Sequence, residues 1–158
     1  MNYIKNDVLD TSVSFPIAIV VSQFNQDITQ ALLQGALERL NDLGFDSEDI
    51  TVVEVPGAVE IPLIVQKLAD KNRHSAIIAL GAVIRGETTH YDYVCQYVSD
   101  GCRHVALDCE IPVIFGVLTT ENEAQAWDRL GGAHGHKGVD SVDSAVAMVY
   151  ILEQLEKD

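Results

Sequence analysis

Apolar positions along the chain fall into two alternating rhythms: short continuous runs, and longer stretches with an apolar residue every third or fourth place. Phe15 to Val21 (FPIAIVV) is short, continuous and β-branched, which predicts a buried strand. Ile28, Leu32, Ala36, Leu40 and Leu43 follow at helical spacing, with Asp27 and Gln30 in the pattern of a capping box and Gly44 as the stop. Ile50 to Val55 (ITVVEV) predicts a second strand, broken by Pro56-Gly57 before a helix that runs to about Lys71. Ala76 to Ile84 (AIIALGAVI) predicts a third, after which Thr88 or Thr89, with Asp92 in capping-box position, opens a helix reaching about Leu107. Pro112 to Leu118 (PVIFGVL) predicts the fourth strand, and Thr120 with Glu123 opens a short helix through Arg129. A Gly-rich turn from Gly131 to Gly138 then leads into a last helix, striped by Val142, Ala145, Val146, Val149, Leu152 and Leu155.

Strand-helix alternation of this kind requires a mostly parallel sheet with helices on both faces. The expected fold is therefore α/β: a three-layer sandwich around a four-stranded, flavodoxin-like sheet. One domain over residues 1–158 is expected. Residues 1–13 precede the first strand without a strong pattern; they form either a loose N-terminal arm or a strand added to a neighbour.

Charge narrows the partners. The 158 residues carry 24 acids against 10 Lys and Arg, a formal net charge of −14. Such a surface repels phosphate backbones and anionic lipid, so neither nucleic acid nor membrane is an expected partner. A phosphate-bearing substrate would need a locally built site. There is no apolar run of membrane-spanning length and no signal-peptide pattern at the start. Cys95, Cys102 and Cys109 recur every seven residues, which places the first two on one helix face. They read as free thiols of a cytoplasmic protein. His134 and His136 have no third ligand nearby, so no metal is expected.

Ligands of open α/β sheets bind beyond the carboxyl ends of the strands, and four loops of this chain converge there. They carry Gln23-Phe24-Asn25, then Pro56 to Glu60, then Ala82 to His90, and finally Thr119-Thr120 beyond Phe115. Gly81 to Thr88 (GAVIRGET) superficially resembles a phosphate-binding P-loop, but Glu87 stands where a Lys is needed. The helix start at Thr88-Thr89 offers free backbone N–H groups to one phosphate, or simply a cap. His90 beside it could shuttle protons at neutral pH, or sit idle at the surface. Phe24 is either a core cap or a ring that stacks on a flat heterocycle. Glu60 is either a first-turn helix acid or an acceptor for hydroxyls. Arg129 and Lys137 bracket the glycine turn; they serve solubility, or they reach the site across the fold or from another subunit.

Taken in order, QFN, VPGAVEIP, ALGAVIRGETTHYDYVC, PVIFGVLTTEN and DRLGGAHGHKG resemble the lumazine synthases over almost the whole chain from Phe15 onward. The resemblance implies a cofactor-free condensation of 5-amino-6-ribitylaminouracil with 3,4-dihydroxy-2-butanone 4-phosphate, which yields dimethyl-ribityllumazine and phosphate. It implies that Phe24 stacks on the pyrimidine. Asn25, the backbone at Ala58 and Val59, Glu60, and the strand end Ala82, Val83 and Ile84 would hold ring and ribityl chain. Glu87, Thr88 and Arg129 would hold the phosphate, His90 would transfer protons, and Lys137 would assist Arg129. It further implies a homo-oligomer (a pentamer, a decamer or an icosahedral cage of pentamers) whose sites lie between subunits, with Phe115, Arg129 and Lys137 donated across the interface. The turn between Arg129 and Lys137 shows no insertion, which favours a cage, and riboflavin synthase is a candidate partner.

Four positions depart from the family pattern. Gln23 replaces an Arg, Glu54 a frequent Trp, and His134 and His136 small or amide residues. They bear on affinity, pH profile and pentamer packing. Rival readings fare worse. A receiver domain needs an acidic cluster after the first strand and an Asp ending the third, where Gln23-Phe24 and Ile84-Arg85 stand. An FMN carrier of the flavodoxin type needs a Ser/Thr/Gly phosphate loop, which QFNQDIT is not. A slow family member acting mainly as a flavin or lumazine binder is a third reading, opposed by the retention of His90, Arg129 and Lys137.

Overall fold

A computed structural model describes residues 1–6 and 14–157. The expected N-terminal arm falls partly on residues 7–13, outside the described residues. The chain runs β1 (Ile17–Ser22), α1 (Gln26–Asp42), β2 (Ile50–Val55), α2 (Ile61–Asp70), β3 (Ala76–Ile84), α3 (His90–Cys109), β4 (Val113–Thr120), α4 (Glu123–Asp128), β5 (Leu130–Gly132), β6 (Gly135–His136) and α5 (Lys137–Glu156). The first four strands form one sheet in the order β2-β1-β3-β4, every pair parallel. The expected α/β sandwich is the observed architecture.

Burial follows from strand order. All six residues of β1 and the first eight of β3 are buried, because each has a neighbour on both sides and helices above and below. Their alternate residues feed two separate cores. Ile17, Ile19, Val21, Ile78 and Leu80 pack beneath α1 and α5, while Ala18, Val20, Ile77 and Ala79 pack beneath α2 and α3. Fully burying a side chain such as Ile17, Ile78 or Leu80 stabilises the fold by about 1.5–3 kcal/mol each. On the first face, Arg39 of α1 donates to Asp143 of α5 at 2.7 Å. Both groups are partly solvated, so the pair adds about 1 kcal/mol or less.

Helix termini depart from the expected caps. Asn25, not Asp27, caps α1, in left-handed geometry at φ 60, and its side chain makes no cap bond. Thr89 precedes α3 without a side-chain cap bond, and the Asp92 carboxylate pairs with Arg85. At α4 the cap is Asn122, which accepts from the Gln125 N–H at 2.9 Å, while Thr120 donates to the Asn122 carbonyl. Gly44 does stop α1, at φ 83. The glycine turn after α4 is a small antiparallel hairpin, β5-β6, which the apolar pattern gave no reason to expect.

His74, between α2 and β3, is held close to its neutral form. Its Nε2 lies 3.2 Å from Thr51 Oγ1, and its Nδ1 is buried without a partner among the described residues. Burial first, then Arg73 and Lys71, push its pKa below the ordinary 6.5. The unfolded chain therefore binds a proton here more readily than the folded one. Stability present above about pH 6.5 is lost as pH falls through the lowered folded value. The melting temperature of the wild type should fall with acidification in that window, and His74→Gln should remove that part of the slope. Identical slopes would sink the assignment.

Candidate active site

The order β2-β1-β3-β4 makes the gap between the C-terminal ends of β1 and β3 the point where the chain's winding reverses, the expected ligand position for such a sheet. A cavity of about 370 Å³ lies there. That is enough for a small bicyclic ligand. Its lining is Phe24, Asn25, Ala58, Val59, Ala82, Val83, Ile84, Gly86, Thr88, His90, Tyr91 and Val94.

Three strand ends are tied together to build it. The Gln23 and Phe24 N–H groups donate to the carbonyls of Val55 and Pro56 at 2.8 and 3.0 Å, zipping the first loop to the second. Asn25 turns back in left-handed geometry, and its amide donates to the Ala82 carbonyl at 3.0 Å, joining the first loop to β3. Asn25 thus holds the cavity's shape. Phe24, fixed on both sides, stands 71% exposed at the mouth, far more than a core cap would be. A free aromatic face beside three strand ends suits stacking on a planar ring.

His90 opens α3 at the other side of the cavity and is exposed. Its N–H donates to Thr88 Oγ1 at 3.3 Å, so Thr88 acts first as a local cap; a hydroxyl that accepts still has its own proton to give. Tyr91 and Val94 line the same wall and were not expected from the sequence. Val94, one helical turn beyond His90, was the available signal. Burial, followed by its contact with Cys95, raises the Tyr91 pKa, which keeps the phenol neutral.

Charge is distributed unevenly about this cavity. Among the described residues, no Lys or Arg lines it. Arg85 lies between two lining residues in sequence, yet its guanidinium is committed elsewhere. It donates to Glu121 at 2.6 Å and to Asp92 at 3.4 and 3.5 Å, and lies 4.3 Å from the centre of the Tyr91 ring. The bonds to Glu121 and then Asp92 raise its pKa above the usual guanidinium value. The other expected residues stand outside the lining. Glu60 is exposed before α2, with its carboxylate over Gly57, and Glu87 is exposed on the loop before α3. Phe115 sits half-buried in the middle of the edge strand β4, opposite Ala79.

Arg129 and Lys137 are neighbours at the base of the β5-β6 hairpin. The Lys137 N–H donates to the Arg129 carbonyl at 2.9 Å, and Arg129 Nη1 donates to the Gln125 carbonyl at 2.8 Å. Asp128 closes the hairpin by accepting from the Ala133 N–H at 3.0 Å and from His134 Nδ1. His134, then the Ala133 N–H, hold its carboxyl below the usual range. Two of the departures from the family pattern also meet: Gln23 donates to Glu54 at 3.3 Å.

The sequence model of the 6,7-dimethyl-8-ribityllumazine synthase family matches residues 14–153. The chain belongs to that family. The 6,7-dimethyl-8-ribityllumazine synthases of Coxiella burnetii strains CbuG_Q212, RSA 493 and Dugway 5J108-111 are each 54% identical to it over 146 residues, 92% of this chain and 97% of theirs. The enzyme is a transferase of riboflavin biosynthesis. It condenses 5-amino-6-(D-ribitylamino)uracil with 3,4-dihydroxy-2-butanone 4-phosphate, releasing phosphate and water. Its substrates are small molecules. No helix among the described residues is long and apolar enough to cross a membrane.

Proposed function

We propose that each active site of this lumazine synthase is shared between two subunits. The cavity at the ends of β1 and β3 takes the ribitylaminopyrimidine, and a neighbour's Arg129 and Lys137 complete it. One observation carries this reading: among the described residues the cavity is lined by an exposed aromatic ring and a histidine but by no Lys or Arg, while Arg129 and Lys137 stand at the base of a hairpin outside its lining. Elimination of phosphate without a cation at the leaving group would be slow.

In this reading Phe24 stacks on the pyrimidine. Asn25, the backbone of Ala58 and Val59, Glu60, and the strand end Ala82 to Ile84 hold ring and ribityl chain. Glu87 and Thr88 meet the phosphate from the cavity side, and Arg129 with Lys137 meet it from the neighbour. The neighbour's Phe115, on its edge strand, closes the wall. The substrate amine attacks the ketone, water leaves to give an imine, and phosphate departs. The second nitrogen then closes the ring with loss of another water. Every step moves protons, which in this reading His90 at the cavity wall transfers, and none requires a metal or redox carrier.

Apolar side chains left on the surface of one chain support a homo-oligomer. Leu63, Tyr93 and Tyr97 are 64, 69 and 61% exposed on α2 and α3, and Leu107, Met148 and Leu155 flank the far end of β4. Patches of that kind mark interfaces. A pentamer, and a cage of pentamers, is the assembly proposed; riboflavin synthase is a candidate partner, and the cytoplasm the proposed location.

Subunit mixing tests the shared site. His90→Ala and Arg129→Ala enzymes should each form little lumazine by absorbance. Co-assembled at random, about a quarter of their interfaces regain both wild-type residues, and activity should return to about that fraction. Mixed assemblies no more active than their parents would place both residues within one subunit.

A further inference from the structure

We infer that His136 is a positioning residue: its neutral imidazole fixes the start of α5, so that Lys137 and Arg129 are presented in one geometry. The inference rests on the reading above, in which those two cations receive the phosphate.

His136 stands at a junction of three elements. It ends β6 opposite Leu130, it precedes α5 as the N-cap, and its ring lies against α1. Nδ1 accepts from the Gly138 N–H at 3.1 Å and from the Val139 N–H at 3.4 Å, satisfying two donors that a helix start otherwise leaves free. The next residue is Lys137, whose own N–H goes to the Arg129 carbonyl at 2.9 Å. One ring thus closes the helix start from inside while Arg129 closes it from the hairpin.

The ring cannot move freely. A Cβ at Gly35 would stand 2.1 Å from its Cε1 and 2.6 Å from its Nε2, and a Cβ at Gly138 would stand 3.1 Å from Cε1 and 2.2 Å from the Leu32 carbonyl oxygen. Two glycines therefore make a notch between α1 and α5 that the imidazole fills. An asparagine or serine could cap this helix as well, as Asn122 caps α4, but neither is large enough to fill the notch. The ring adds a brace to α1 that a shorter cap would lack.

The cap also defines the ring's protons. An imidazole accepts at Nδ1 only when its proton is on Nε2; a doubly protonated ring has no lone pair to offer. This makes the proposal readable in the wild-type protein by the nitrogen NMR shifts of the His136 ring, where an unprotonated Nδ1 and a protonated Nε2 are expected. A ring carrying its proton on Nδ1 overturns the proposal without any variant having to fold.

Kinetics supply the second arm, with hydrogen exchange at Gly138 and Val139 as the direct measure of the cap. His136→Ala should speed exchange at both amides and raise KM for the phosphorylated ketone so that kcat/KM falls about tenfold. KM for the pyrimidine should stay unchanged. His136→Asn, which restores an acceptor, should recover kcat/KM to within about threefold of wild type. Faster exchange with unchanged kinetics in His136→Ala would overturn the positioning role. Lys137→Ala and Arg129→Ala in the same series separate the two failures. If both leave ketone kinetics unchanged, the reading of the cations is wrong and this inference goes with it. If both impair them while His136→Ala does not, the positioning role alone is lost.

Discussion

Arg129→Ala is expected to lower kcat/KM for the phosphorylated ketone about a hundredfold, the scale of removing one fixed donor from a developing anion. The effect should fall mainly on that substrate. The cavity proposed for the pyrimidine is built by Phe24, Asn25 and the ends of β1 and β3, none of which bonds to Arg129. Arg129→Lys should recover only part of the loss. Arg129 anchors one nitrogen on the Gln125 carbonyl, leaving the rest of a planar fork aimed, whereas an ammonium offers no comparable two-point grip on phosphate. The chain's net charge of −14 enlarges the effect, since the global field opposes the substrate and only Lys137 of the two proposed cations remains. Steady-state kinetics with each substrate varied in turn decides the matter. An unchanged apparent affinity for the ketone would show that Arg129 does not hold the phosphate.

Gly35→Ala is expected to destabilise the protein by about 2–3 kcal/mol, the cost of overpacking a filled site. The sign is informative, because the same change in an exposed helix interior stabilises by about 1 kcal/mol. Here the added methyl would overlap the His136 ring at 2.1 Å from Cε1. The ring would have to leave its notch, freeing the Gly138 and Val139 N–H groups it caps. The double variant Gly35→Ala/His136→Ser should recover most of the loss, since serine caps without filling the notch. Denaturant unfolding of the two variants against wild type measures both terms. If Gly35→Ala is as stable as wild type, the ring does not occupy that notch.

The sequence by itself determined the layering. β2 and β3 span the residues their apolar runs predicted, because a strand's burial is written locally in which side chains are apolar and β-branched. The apolar runs of β1 (up to Ser22) and β3 reflect the two inner strands, and the polar Glu54 and Thr119 reflect the edges. The motifs at the strand ends were legible for the same reason: each is a short contiguous string, and the loops after β1, β2 and β3 each send residues to one cavity, while that after β4 sends none.

Tertiary structure alone decided the caps, the hairpin and which of the expected residues line the cavity. Asn25, Asp92 and Thr120 each had a local pattern to follow or to neighbour, yet their side chains bond to Ala82, Arg85 and Asn122. Where the winning partner is distant in sequence, as Ala82 is from Asn25, no local window can show it. The β5-β6 hairpin has almost no apolar residues to signal a strand, and its bends use the positive φ of Gly131 and Gly135. That hairpin joins Arg129 to Lys137 and leaves both outside the cavity lining. His136 reads as an isolated departure in the sequence and becomes a cap only because Gly35, a hundred and one residues earlier, leaves room for its ring. Periodicity records what each residue needs from its surroundings; which partner supplies it depends on contacts that exist only once the sheet has formed.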